Sequence, residues 1–147
     1  MAMSVSSVAF PGGGEIPRRH TCDGEDVSPP LTISDIPSDA RELAILMEDP
    51  DAPSGTFAHW VAWGVGPAQG GLAEGERAPG EGANSFRGQG YRGPCPPAGQ
   101  THRYVFTVLA LAEPLDLPAS TTAAELRAAA APLVLAEASL TGRYGRP

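Results

Sequence analysis

Leu43-Ala44-Ile45-Leu46-Met47-Glu48, then Asp49-Pro50-Asp51-Ala52-Pro53-Ser54-Gly55, then Phe57-Ala58-His59-Trp60-Val61-Ala62-Trp63-Gly64-Val65 is the stretch that decides the fold class. In the first segment both alternating faces are mainly apolar, as in a central strand covered on both sides. The third segment is rich in aromatic and β-branched residues, which predicts a second strand. Between them, two prolines cannot donate to a ladder, and Pro-Ser-Gly is turn chemistry. The reading is strand, structured loop, strand, paired antiparallel.

Residues 102–112 (His-Arg-Tyr-Val-Phe-Thr-Val-Leu-Ala-Leu-Ala) predict a third strand with His102, Tyr104, Phe106 and Val108 on one face. Residues 121–131 carry the strongest helix signal. Thr121 or Thr122 can cap, Glu125 stands at capping-box distance, and an Ala-rich run follows. Pro132 ends that helix or starts another turn, 133–137 could continue it, and 138–144 could form a last strand. Residues 66–100 have no clear period and hold many glycines. A loop of that length is uncommon, and the prolines near its end favour order there. No repeat or linker divides the chain, so 1–147 reads as one domain, mainly β with one or two short helices near the C-terminus.

Composition narrows the function. The 147 residues include 18 Gly and 16 Pro, about twice background usage, which excludes a helix bundle. Net charge is −7, with 17 acidic residues against 10 basic ones, all Arg. An acidic chain is a poor partner for nucleic acid or an anionic membrane surface, so neither is expected. The N-terminus lacks a basic segment followed by a long apolar one, so a cytoplasmic location is expected. Cys22 and Cys95 do not have a zinc-binding spacing. A reducing compartment favours free thiols, although both cysteines lie in loops and pairing stays open.

Three clusters could carry chemistry. Asp49 and Asp51, two residues apart, point the same way if extended, and could bind metal or act as acid and base. They could equally bond nearby backbone N–H groups in a loop. His59 lies in an apolar strand on the same predicted face as Phe57, Val61 and Trp63, either as a hydrogen-bonded core histidine or as a ligand group. His102 and Tyr104 share a face and can both donate to an oxyanion, while Arg103 points away as an ion-pair partner. Asp49, His59 and His102 resemble a two-histidine, one-carboxylate metal set in composition only, so no metal or cofactor is expected. Gly12-Gly13-Gly14 lacks the Gly-Lys-Ser/Thr of a phosphate loop, and Gly-x-Ser-x-Gly is missing.

Taken in order, several motifs resemble the phosphatidylethanolamine-binding protein family, and most of all its bacterial and archaeal Raf kinase inhibitor-like branch. They are Thr21-Cys22-Asp23-Gly24-Glu25-Asp26-Val27-Ser28-Pro29-Pro30-Leu31, Asp49-Pro50-Asp51-Ala52-Pro53, His59-Trp60, Gly93-Pro94-Cys95-Pro96-Pro97, Gly99 to Tyr104, and Leu140-Thr141-Gly142-Arg143-Tyr144. The resemblance implies a large central antiparallel sheet packed with a smaller sheet, and short helices near the end. It implies a small surface pocket for anions such as phosphate or the phosphoryl head of phosphoethanolamine. The implied ligand-binding residues are Asp49, His59, His102 and Tyr104, walled by Gly93, Pro94, Pro96 and Pro97. Asp51 and Arg103 are supporting residues, and Pro53 is a candidate cis-proline.

The function expected is therefore a non-enzymatic binding protein for a small anionic ligand, able to modulate a protein partner and compatible with a homodimer. Asp49 can orient a histidine by accepting its second N–H, and anion affinity is expected to fall as pH rises through the histidine pKa. The alternatives are a hydrolase or lyase using the His/Asp groups, and, by family analogy alone, an inhibitor of serine proteases or kinases. Membership of a fold does not select among these.

Overall fold

A computed structural model describes residues 2–147. Eight strands form: β1 (Ser4–Ser6), β2 (Leu31–Ser34), β3 (Glu42–Asp49), β4 (Phe57–Val65), β5 (Gly71–Leu72), β6 (Gly80–Glu81), β7 (Thr101–Leu111) and β8 (Val134–Gly145). One α-helix, α1 (Ala123–Ala130), precedes β8. The larger sheet runs β6-β4-β3-β7-β8 and the smaller β1-β2-β5, with every pairing antiparallel.

The apolar run of β3 is explained by its place at the middle of the larger sheet. Leu43, Ile45 and Met47 face the smaller sheet in a core with Leu31, Ile33, Phe106 and Val108. Ala44 and Leu46 face the opposite side, where Leu126 and Ala130 of α1 cover them. The layers are therefore small sheet, large sheet and helix. Helix α1 starts in a full capping box. Glu125 N donates to Thr122 Oγ1 at 3.2 Å, and Thr122 N donates to Glu125 Oε1 at 3.0 Å.

Two expectations about elements need correction. Residues 133–137 do not extend the helix. A 3₁₀ turn at Ala131–Leu133 ends it, and β8 begins at Val134, which pairs with Leu111. Continuous pairing with β7 satisfies the backbone along the strand and outweighs the helix propensity of its Ala and Glu residues. The face assigned to His59 is also wrong beyond that residue. Met47 opposes Trp60 while Glu48 opposes Ala58, so His59 is the extra residue of a β-bulge. His59 and Trp60 both turn toward the inter-sheet side, whereas Val61 and Trp63 pack under α1. Strict alternation fails wherever such a residue is inserted.

The Gly-rich stretch is built around short pairings. Strand β5 pairs with β2, and β6 with β4. Beyond them, Asn84, 5% exposed, accepts from Phe86 N and Gly88 N and donates to Gly90 O, which fixes the position of Phe86. Among the described residues, no helix is long and apolar enough to cross a membrane.

Candidate functional site

Antiparallel order brings the chemistry together. The C-terminal end of β3 lies between the N-terminal ends of β4 and β7, so Asp49, His59, His102 and Tyr104 meet at one end of the central strands. They line a cavity of ≈ 250 Å³. Phe57 and Phe86 form an apolar side, with ring centroids 4.7 Å apart. Pro53, Cys95, Pro96 and Pro97 close the remainder.

Asp49, 4% exposed, has two tasks. Its Oδ1 accepts from Asp51 N at 2.8 Å, and its Oδ2 accepts from His102 Nδ1 at 2.6 Å. The first bond makes an Asx turn that starts the loop; the second fixes the His102 ring. His102 Nε2 lies 2.8 Å from Gln100 Oε1. Donation to both acceptors needs the doubly protonated ring, while a turned-over Gln100 amide would serve a neutral one.

His59 Nδ1 donates to Arg92 O at 2.7 Å. Burial pushes its pKa below the usual histidine value, opposed by the Arg92 carbonyl and by Asp49. A neutral His59 with Nδ1–H bonded to backbone presents Nε2 as an acceptor. Tyr104 is fully buried, its ring 5.3 Å from that of His59 and edge-on to it. Burial, and then the charge of Asp49, push its phenol well above the ordinary value, so it stays protonated. Its hydroxyl has no hydrogen-bond partner among the described residues, and the nearby Cys95 amide does not complete one.

The two carboxylates diverge rather than point together. Asp51 turns outward and accepts from Arg103 N, Nε and Nη2 at 2.8–3.0 Å. This Arg103 clamp holds the Asp51 carboxyl at about 2. Both residues thus support the loop. The peptide bond before Pro53 is trans, as are all others among the described residues. The Asx turn and the Asp51–Arg103 clamp set the loop's reversal without a cis bond.

Gly93 and Pro94 lie behind the cavity wall and do not line it. Gly93 N donates to Asp26 Oδ1 at 2.7 Å, and a Cβ there would come 2.1 Å from His20 O, so only glycine fits. Pro94 O accepts from Cys22 N. The pairing left open by the sequence is made, against the compartment argument for free thiols: Cys22 and Cys95 form a disulfide with Cα atoms 5.5 Å apart. The fold brings together two loops that local sequence cannot register against each other.

Phe57, Phe86 and Gln100 were not among the expected site residues. Phe57 carried a signal, since it precedes His59 by two positions on the same face. Gln100 stands two residues before His102 in the Gly99–Tyr104 motif. Phe86 carried none, because its stretch has no periodicity.

The phosphatidylethanolamine-binding protein family model matches residues 6–145. A UPF0098 protein of Methanothermobacter thermautotrophicus is 42% identical, over 98% of this chain and 99% of its own. A Mycobacterium tuberculosis protein named as a candidate lipoprotein, LppC, is 40% identical over 97% of this chain and 72% of its own. A phosphatidylethanolamine-binding protein homologue of Chlamydia trachomatis superposes with a TM-score of 0.94 at 36% identity, covering 99% of both chains. Sequence, fold and the ordered motifs agree that the chain belongs to the phosphatidylethanolamine-binding protein family.

Proposed function

We propose that the cavity binds a small phosphorylated or carboxylated ligand and does not turn it over. The observation that carries this reading is the Tyr104 hydroxyl, buried at the cavity with no partner among the described residues. A buried donor left unpaired costs about 1–3 kcal/mol, and a ligand oxygen accepting from it recovers that cost. His102 supplies a second donor at Nε2 once Gln100 gives way. Neutral His59 offers an acceptor for a P–OH hydrogen or an ammonium head group. Burial keeps His59 neutral near pH 7, so it acts on the ligand through hydrogen bonding. The Phe57 and Phe86 side accommodates an apolar substituent on the ligand. In the disulfide, Cys95 offers the cavity no thiolate nucleophile.

Titration of phosphoethanolamine and inorganic phosphate by calorimetry between pH 5.5 and 8.5 tests the reading. Saturable binding that weakens as pH rises, and is lost in His102→Ala with the fold retained, is expected. Binding flat over that range, or unchanged in the variant, refutes the arrangement. Release of phosphate from phosphoethanolamine, abolished in His102→Ala, would replace it with an enzymatic one.

A further inference from the structure

The wall formed by residues 95–97, backed by Gly93 and Pro94, is held in an unusual way. Pro94, Pro96 and Pro97 have no N–H, so this segment cannot be fastened by a backbone ladder. It rests instead on the loop at 18–26. Cys22 N donates to Pro94 O at 3.1 Å, Gly93 N to Asp26 Oδ1 at 2.7 Å, and Tyr91 Oη to His20 O at 2.7 Å. The Cys22–Cys95 disulfide is the covalent tie across this contact. Cys95 is exposed and also lines the cavity, and Cys22 is half-buried. A disulfide whose cysteine is both at the ligand cavity and open to solvent is a candidate for attack by a reductant.

We propose that this disulfide is a redox latch on the cavity: oxidised, it holds the proline wall in its binding position; reduced, it releases the wall while the sheets stay folded. The reductant is a dithiol of the thioredoxin class. Its thiolate attacks the sulfur of Cys95, the more exposed of the two cysteines, the Cys22 thiolate leaves, and a mixed disulfide forms. The second reductant thiolate resolves that species, so two electrons and two protons end on Cys22 and Cys95 and the reductant becomes a disulfide. Released, the segment keeps the bonds named above, with Pro96 O accepting from Arg146 Nη1 at 3.4 Å and Pro97 O from Gln100 N at 3.1 Å. The effect on ligand rests on the binding reading given earlier; the effect on the wall does not.

The experiment compares oxidised protein, protein reduced by a dithiol, and the double variant Cys22→Ser/Cys95→Ser. Hydrogen exchange reads the wall, and a phosphate titration followed by the His102 ring resonances reads the site. On reduction, the Cys22 and Gly93 amides should exchange at least about tenfold faster while amides of β3 and β7 keep their protection. Phosphate affinity should drop by about fivefold or more, and the double variant should match the reduced protein whatever the redox buffer. If oxidised protein binds no phosphate, the binding reading fails, and the exchange rates alone still decide the latch. Unchanged Cys22 and Gly93 exchange with both thiols free by mass overturns the proposal. So does uniform loss of protection across β3 and β7, which would make the bond a general staple.

Discussion

Tyr104→Phe should raise stability and weaken ligand binding at once. The substitution removes one oxygen and leaves the buried ring in place. That oxygen is fully buried and unpaired among the described residues, so the folded protein bears its desolvation without a compensating bond. An unsatisfied buried group costs about 1–3 kcal/mol, and recovering the lower part of that range would raise Tm by about 2–4 °C for a domain of this size. In the complex the same hydroxyl donates to an anion. Losing a hydrogen bond to a charged group costs about 1.5–3 kcal/mol, or roughly 10- to 100-fold in affinity. Tyr144→Phe is the matched control. Its hydroxyl donates to Asp23 Oδ2 at 2.6 Å, so deleting it breaks a bond already made and should destabilise by about 1–2 kcal/mol. Scanning calorimetry of both variants, with phosphate titration of the first, is the assay. Tyr104→Phe that melts below wild type by as much as Tyr144→Phe, or binds phosphate with unchanged affinity, would refute the reasoning.

Three further outcomes are expected. His59 has a folded pKa lowered by burial, so below about pH 6.5 the unfolded chain binds more protons than the native protein. Its contribution to stability is present above that pH and is lost as pH falls toward the lowered value. Denaturant midpoints of His59→Asn, whose amide can still donate to Arg92 O, should decline less steeply with acid than wild type, and equal slopes would count against a neutral buried ring. Leu126→Ala, at a position fully buried between α1 and the sheet, should cost about 2–5 kcal/mol. Val8→Ala, at a position 92% exposed, should change chemical-denaturation stability by less than about 0.5 kcal/mol.

Much of the site was legible because it lies at ends of strands with strong local patterns. Asp49, His59, His102 and Tyr104 sit on segments whose hydrophobic content already predicted β3, β4 and β7, and the ordered motifs linked them. The helix start was equally readable, as Thr121 or Thr122 with Glu125, since the signal is complete within a few residues; the structure selects Thr122. Phe86 was not, because its position depends on the Asn84 hydrogen bonds of a stretch without period.

By itself the sequence determined the strand-rich class, the three long apolar strands, the cap of α1 and the family to which the ordered motifs point. These are local or order-dependent signals, fixed by side-chain periodicity and by which backbone groups lack an N–H. Tertiary structure alone decided which face follows His59, where β8 begins, that Asp49 turns inward while Asp51 turns out to Arg103, and that Cys22 meets Cys95. Each of these depends on register between segments far apart in the chain. Register is chosen by the free energy of pairing and burial over the whole sheet, which no single stretch of sequence contains.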